Sequence, residues 1–294
     1  MLSEELTIKA RKLGVRRTAT ICGVRSVYYD YASDGSSKET IVMIHGYRGN
    51  HRGLEAIAGG LGRYRVLMPD LPGFGESEQL PGVHNLEAYA DWLKEFLLAV
   101  GIDERSHVVG HSFGSLVVGL YVSRNSSKSV VLINPVSAPA LSGPRAFLTK
   151  VTSGFYHLSR SLPESVAGWL LRSPIAVMVM SSVMAKTTNK RLRRWIHRQH
   201  LDNFSDFASV RVASEAYDAS ISMDLSQLAP SIRTPVLIVA AVLDDITSIQ
   251  IQRDVARTYP DAEIVELQSV GHLVHYEAPA DAAAHISKHV EANK

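Results

Sequence analysis

The most constraining feature of this chain is the pentapeptide Gly-His-Ser-Phe-Gly at residues 110–114, which has Ser112 at its centre. The apolar pair Val108 and Val109 precedes it, and residues 116–122 follow with a spacing that is compatible with a helix. A strand, a sharp turn and a helix in that order are the context of a nucleophile elbow. Glycine suits such a turn because a Cβ would collide with neighbouring backbone. The pattern Gly-x-Ser-x-Gly also occurs in ordinary loops, so its meaning depends on partners elsewhere in the chain.

Strand and helix patterns alternate on both sides of this turn. Besides the strand that leads into Ser112, strands are predicted at residues 17–22, 24–31, 40–44, 65–68, 129–133, 234–241 and 263–267. Helices are predicted at residues 2–13, 51–61, 86–100, 248–258 and 278–291. Several of the strands are continuous apolar runs, as in a parallel sheet buried on both faces. The alternation predicts an α/β fold with a mostly parallel, twisted sheet flanked by helices.

The alternation stops between residues 136 and 226, which contain several helix-like pieces and no convincing strand. We therefore predict a core formed by residues 1–135 and 227–294. Residues 136–226 would be inserted after the sixth strand as a helical lid, or cap.

Three polar residues, Ser112, Asp244 and His272, each follow the end of a predicted strand. The carboxyl ends of parallel strands meet at one edge of the sheet, where ligand-binding groups collect. Esterolysis needs a nucleophile, a base that takes its proton, and an acid that orients the base. The three residues occur in the chain order serine, acid, histidine, and they are the candidate catalytic residues.

With these pieces in place, the chain resembles the α/β-hydrolase superfamily in its lid-bearing esterase and lipase-like branch. The matching segments are residues 45–46, 70–77, 110–114, 237–244 and 271–279. The resemblance covers residues 18–135 and 227–294 well, and it covers the lid in position only. It implies that the backbone N–H groups of Tyr47 and Phe113 form the oxyanion hole, and that neither a cofactor nor a metal ion takes part.

Several assignments have rivals nearby in the sequence. Asp245 is as good a carboxylate as Asp244, and the family's spacing favours Asp244. His275 lies three residues beyond His272, but the glycine before His272 matches the family. Two further histidines fall near the site: His45 is expected to support the oxyanion loop, and His111 is expected to be structural. Arg48 and Asn50 lie in the same loop as Tyr47, where they could touch a substrate.

The predicted lid is strongly basic in its first half. Residues 125–201 contain eleven Lys and Arg against one acid, Glu164, although the whole chain has a net charge of only +2. An apolar, methionine-rich run at residues 174–184 precedes the basic run at 190–198. These runs are either a buried helix with a solvated face or a surface that attracts an anionic partner, such as a membrane, a fatty acyl chain or an acyl carrier. They lack the interleaved aromatic residues of a nucleic-acid surface, so no nucleic acid is expected.

The composition and the N-terminus favour the cytoplasm. Cys22 is the single cysteine, which excludes an intramolecular disulfide. The first residues lack the basic-then-apolar order of a signal peptide, and no uninterrupted apolar stretch of about 18 residues predicts a transmembrane helix.

The function predicted from these features is a serine hydrolase that cleaves a carboxylic ester with an apolar acyl part through an acyl-enzyme. A C–C bond hydrolase of a dienone acid, or a lactone or thioester hydrolase, would use the same triad. Relatives of the C–C hydrolase kind usually have Gly-Asn-Ser at the elbow and an aromatic residue after Gly-His, where this chain has His111 and Leu273. A non-catalytic binding protein on the same scaffold would be expected to have a broken triad.

Overall fold

The computed structural model of the protein describes residues 3–102, 106–139 and 146–294. It begins with helix α1 (Ser3–Leu13) and the strands β1 (Gly14–Ile21) and β2 (Val24–Tyr31). Alternating elements follow: β3 (Thr40–Ile44), α2 (His51–Gly60), β4 (Arg65–Pro69), α3 (Leu86–Ala99), β5 (His107–His111), α4 (Phe113–Val122) and β6 (Ser129–Ile133). The C-terminal part contains β7 (Val236–Ala241), α10 (Ile249–Ala256), β8 (Ala262–Leu267), α11 (Val274–Glu277) and α12 (Pro279–Ala292).

The strands form one eight-stranded sheet in the order β1-β2-β4-β3-β5-β6-β7-β8. β2 pairs antiparallel with β1 and β4, and every pair from β4–β3 to β7–β8 is parallel. The predicted α/β class, with a mostly parallel sheet flanked by helices, is confirmed. The carboxyl ends of β3, β5, β6 and β7 therefore lie side by side at one edge of the sheet.

Helices cover both faces of the sheet, which explains the continuous apolar runs of its central strands. In β3, Val42 and Ile44 pack into a core with α3 and α4, while Ile41 and Met43 pack into a second core with α2 and α12. Successive side chains of a strand point to opposite faces, so a strand with a core on each side has no solvent-facing position.

Five helices occupy the part of the chain between β6 and β7: α5 (Ala146–Arg160), α6 (Glu164–Leu171), α7 (Pro174–Met184), α8 (Lys190–Asn203) and α9 (Val210–Ser222). Two short 3-10 turns, Leu225–Gln227 and Ala229–Ser231, lead from α9 to β7. Among the described residues this segment is helical, as its sequence predicts. Residues 140–145 of the predicted lid lie outside the described ranges.

Candidate active site

Ser112 lies in the turn between β5 and α4 with a φ of 53° and a ψ of −119°. Positive φ is strained for a residue with a Cβ, and the surrounding bonds hold it in place. The Ser112 N–H donates to the Ile133 carbonyl at 3.1 Å, and the Ser115 hydroxyl donates to the Ser112 carbonyl at 2.5 Å. A Cβ on Gly110 would overlap the backbone of Gly114, so the first glycine of the motif is required by the close approach of strand and helix.

The three predicted catalytic residues meet in one hydrogen-bonded chain. His272 Nε2 lies 2.8 Å from Ser112 Oγ, and His272 Nδ1 lies 3.0 Å from Asp244 Oδ2. Since a carboxylate only accepts, Nδ1 carries the proton and donates to Asp244, and Nε2 is left to accept from the serine hydroxyl. Asp244 and His272 are buried, while Ser112 is partly exposed. The arrangement is that of a serine nucleophile with an oriented base.

The neighbouring carboxylates of Asp244 and Asp245 have different partners in the structure. The second oxygen of Asp244 accepts the Ile246 N–H at 2.7 Å, which holds this side chain in the turn after β7. Asp245 instead pairs with the ammonium of Lys186, which lies between α7 and α8. Asp244 is therefore the carboxylate that reaches His272.

His275, the alternative to His272 as the base, also has different partners. The ring of His275 packs against His111, with ring centroids 4.2 Å apart, and its Nδ1 atom has no hydrogen-bond partner in the described part of the chain. His272 alone of these three histidines is hydrogen-bonded to Ser112 among the described residues.

The loop after β3 passes directly beside the serine. A Cβ on Gly46 would lie 3.3 Å from the Cβ of Ser112, a contact so tight that a neighbour would have to shift by a few tenths of an ångström, and glycine avoids it. The Leu71 N–H donates to His45 Nε2 at 2.9 Å, and this leaves His45 Nδ1 to donate to the Gly46 carbonyl at 2.9 Å. His45 thus supports the loop, as predicted. In a trans peptide the Tyr47 N–H points opposite to the Gly46 carbonyl, away from His45.

The other predicted oxyanion donor, the Phe113 N–H, opens α4. The first amides of a helix have no partner within it and carry the positive end of its dipole. This N–H belongs to the peptide that joins Phe113 to Ser112, so it lies next to the Ser112 side chain. Both predicted donors are thus backbone groups beside Ser112, and their role in binding an oxyanion remains a prediction.

Arg48 is held by the helical segment instead of facing outward. Its backbone has a φ of 56°, and its buried guanidinium donates to the carbonyls of Leu171 at 2.6 Å and Phe204 at 2.9 Å. It also donates to the Tyr156 hydroxyl at 3.2 Å. The structure gives no support to substrate contact by Arg48, and it shows that this residue ties the Tyr47 loop to α5, α6 and α8.

Asn134 is the site residue whose role sequence reasoning missed. It ends β6 with a φ of 43°, a conformation that asparagine tolerates better than most residues. Its amide donates to the carbonyls of Gly271 at 3.1 Å and His272 at 3.0 Å, and its oxygen accepts the Ala241 N–H at 2.8 Å. Asn134 therefore fixes the backbone of His272 to the end of β7. An asparagine directly after a buried strand was the available signal.

Replacing Asn134 with Gly should lower kcat by about 10²-fold with little change in KM, because a displaced imidazole loses its alignment with Ser112. Glycine keeps the positive φ without strain, so the loss reports the missing amide. Steady-state kinetics would test this, with Asn125→Gly as the control, since Asn125 bonds only within the end of α4. Equal kcat values for the two variants would show that Asn134 does not position His272.

Two buried histidines, His111 and His200, are uncharged in the folded protein. Burial, and secondarily the neighbouring His272, lower the pKa of His111 to about 3. Burial and the nearby His197 lower the pKa of His200 to about 4. Both rings therefore stay neutral in the folded protein across the physiological range.

We expect the free energy of unfolding to fall as the pH falls from about 6.5 towards 4. In this window the unfolded chain protonates His111 and His200 while the folded chain does not, so protons favour unfolding by roughly 1.4 kcal/mol per pH unit for each histidine. Urea unfolding at several pH values measures the slope. His111→Gln should reduce this slope by the contribution of one histidine, and an unchanged slope in that variant would contradict the assignment.

Comparison with known proteins agrees with this geometry. The sequence pattern of a family described as "alpha/beta hydrolase fold" matches residues 39–279. Lipase 3 of Moraxella sp. (strain TA144) is 24% identical over 284 residues, which cover 92% of this chain and 82% of the lipase. A 2-hydroxy-6-oxononadienedioate/2-hydroxy-6-oxononatrienedioate hydrolase of Dechloromonas aromatica (strain RCB) is 27% identical, covering 84% of this chain and 85% of the relative. A solved esterase from Thermogutta terrifontis has the same fold, with a TM-score of 0.75 at 20% identity, covering 95% and 98% of the two chains.

Proposed function

The chain belongs to the alpha/beta hydrolase fold family, and on that basis we propose that it is a cofactor-independent serine hydrolase of carboxylic esters. The observation that carries the proposal is the hydrogen-bonded chain from Ser112 through His272 to Asp244. The similarity to Lipase 3 supports an ester as the substrate class.

In the proposed mechanism, the Ser112 oxygen attacks the ester carbonyl carbon while His272 Nε2 takes the hydroxyl proton. Asp244 holds the imidazole in the required tautomer and stabilises the imidazolium. The N–H groups of Tyr47 and Phe113 bind the oxyanion of the tetrahedral intermediate. The intermediate collapses to an acyl-enzyme as the C–O bond breaks and His272 protonates the leaving alcohol. Water, deprotonated by His272, then releases the acid and restores Ser112.

An apolar acyl group is favoured by the aromatic cluster beside the Tyr47 loop. The ring of Tyr47 makes edge contacts with Phe74, Tyr156 and Tyr217 at centroid distances of 6.3, 5.9 and 5.9 Å. The Tyr47 hydroxyl donates to the Ala213 carbonyl at 2.7 Å, so its polar end is already satisfied. Phe74, Tyr156 and Tyr217 are buried, so an acyl group would meet the cluster at Tyr47, its partly exposed member, next to the proposed oxyanion hole.

We further propose that helices α5–α9 act as a lid, with residues 136–226 as its extent. Two contacts support this. The Leu171 carbonyl at the end of α6 accepts from Arg48, on the Tyr47 side of the site. At the other side, the N–H groups of Lys186 and Thr187 donate to Glu277 at 2.6 and 2.7 Å, close to His272 in sequence.

Hydrolysis of a carbon–carbon bond is the second candidate, because the Dechloromonas relative is named for it and the proposed triad suits both reactions. His111 and Leu273 stand where such enzymes usually carry asparagine and an aromatic residue, which favours the ester. The same mechanism would also hydrolyse a lactone or a thioester. The continuous hydrogen-bonded triad argues against a purely binding role.

A cytoplasmic location, supported by the single Cys22, is also part of the proposal.

A substrate panel tests the proposed function. Purified protein should hydrolyse p-nitrophenyl esters, with kcat/KM rising from acetyl to longer acyl chains because apolar contacts strengthen along the chain. Lactones, thioesters and a dienone acid would be assayed in parallel. Turnover of the dienone acid without turnover of any ester would replace the proposal with the C–C hydrolase.

A further inference from the structure

Helices α6 and α7 turn large apolar side chains towards solvent. Trp169 is 73% exposed, Ile175 is 77% exposed and Val179 is 60% exposed. Val166 on α6 and Val183 on α7 extend this surface, which we call the α6–α7 face. In α7 the exposed positions recur every four residues and so lie on one side of the helix.

The side of α7 that faces the protein interior is unusual, because it carries a polar residue, Ser181. Ser181 is buried, and its hydroxyl lies 2.7 Å from Nδ1 of both His197 and His200 on α8. A surface helix of a soluble protein normally turns its apolar side inward and its polar side to water. In α7 the buried positions are Val177 and the hydrogen-bonded Ser181, while Ile175, Val179 and Val183 stay outside, so large apolar side chains face outward although a polar one is buried.

The stretch Glu164–Met184 is 21 residues long, with a mean hydropathy of 1.5 and only 28% of its apolar window buried. By length and composition alone it could cross a membrane, although Ser and Gly residues interrupt its apolar sequence. Yet Arg172 and Ser173 separate α6 from α7. Arg172 donates to the Phe207 carbonyl at 2.8 Å and lies 4.2 Å over its ring, which anchors the junction to the protein surface. The break favours a position on a bilayer over a passage through it.

The helix that packs against α7 exposes arginines. Helix α8, which bonds to α7 through Ser181, exposes Arg194 and Arg198 on one side. The other basic residues of the predicted cluster are partly engaged: Arg191 pairs with Glu4 at 3.0 Å, and Arg193 donates to the carbonyl of Thr187 at 3.0 Å. Arginines next to an apolar surface match the headgroup and acyl layers of an anionic bilayer.

A groove of about 750 Å³ opens between the two helices and is lined by Trp169, Arg172 and Ile175. Its lining combines apolar side chains with the Arg172 guanidinium and the Glu164 carboxylate, so it offers contact for an acyl chain, and contact with anionic headgroups falls to the exposed arginines of α8. Tryptophan is also the side chain that proteins concentrate at the boundary between headgroups and acyl chains.

We propose that the α6–α7 face docks on an anionic phospholipid membrane, with Trp169, Ile175 and Val179 entering the headgroup boundary and Arg194 and Arg198 contacting the headgroups. A second copy of this chain suits the face less well. A two-fold interface would join the face to itself and bring the same arginines together. Docking does not depend on the proposed reaction. It would, however, place the membrane against the segment that contacts the Arg48 loop and Glu277.

Flotation with vesicles tests the proposal, using the Ser112→Ala protein so that no lipid is consumed. It should bind phosphatidylcholine vesicles that contain phosphatidylglycerol more tightly than vesicles of phosphatidylcholine alone, and high salt should reduce the difference. Ile175→Ser/Val179→Ser should weaken binding by about tenfold or more, since two apolar side chains no longer leave water. The matched control is Val83→Ser/Leu98→Ser, whose residues are 59% and 52% exposed on other parts of the surface.

The fluorescence of Trp169 gives an independent readout. Phosphatidylglycerol vesicles with brominated acyl chains should quench emission in the parent protein and less in Trp169→Phe, because Trp92 is fully buried and Trp195 is only partly exposed and packs edge-on against Tyr276 at 5.4 Å. The proposal is overturned if the parent protein does not float with these vesicles, or if both double variants bind equally. It is also overturned if the α6–α7 face instead drives self-association that Ile175→Ser/Val179→Ser abolishes. Loss of ester hydrolysis would leave these results unchanged, so the two proposals fail separately.

Discussion

Replacing Ser112 with Ala should lower kcat by about 10⁴-fold or more while the protein keeps its fold. The alanine lacks the oxygen that attacks the carbonyl and accepts the acyl group. It has the same Cβ as serine, so the backbone strain at a φ of 53° is unchanged. Steady-state kinetics on a p-nitrophenyl ester, with thermal unfolding as the check on folding, would measure both effects.

Ser123→Ala is the matched control for this experiment, because Ser123 caps the same helix and its hydroxyl donates to the Leu120 carbonyl there. A fluorophosphonate probe should label the parent protein and the control, and it should fail to label Ser112→Ala. Labelling that persists in Ser112→Ala would assign the nucleophile to another residue.

Asp244→Asn should lower kcat by roughly 10³–10⁴-fold, because the asparagine amide would favour the imidazole tautomer that cannot accept the serine proton. The substitution conserves shape, so the change should lie in kcat far more than in KM or in thermal stability. In the structure the affected bond is the one of 3.0 Å between His272 Nδ1 and the Asp244 carboxylate.

Asp245→Asn provides the control, since it makes the same chemical change one residue along the chain. Its ion pair with Lys186 is partly exposed, and such pairs contribute about 0–1 kcal/mol. We therefore expect kcat to change by less than about threefold. If Asp245→Asn were the damaging variant and Asp244→Asn the mild one, the acid of the triad would be Asp245.

Features that depend on local sterics and on periodicity could be predicted from the sequence alone. The elbow around Ser112 follows from glycines flanking a serine between a strand and a helix. Asn85 directly precedes the predicted helix at 86–100, where asparagine is a favoured N-cap, and its side chain accepts the Ala88 N–H at 2.8 Å. The apolar runs of β3 and β6 predicted strands that are buried on both faces. Successive side chains point to opposite faces, and in these runs the side chains on both faces are apolar.

Only the tertiary structure decided between residues of the same chemistry that are neighbours in the chain. Asp244 and Asp245 differ by which of them reaches His272, and this depends on how the end of β7 packs against the turn after β8. The roles of Arg48 and Asn134 likewise depend on carbonyl groups that are distant in sequence. The outward apolar side of α7 was hidden for the same reason: periodicity shows that a helix has sides, but the packing of its neighbours decides which side meets solvent.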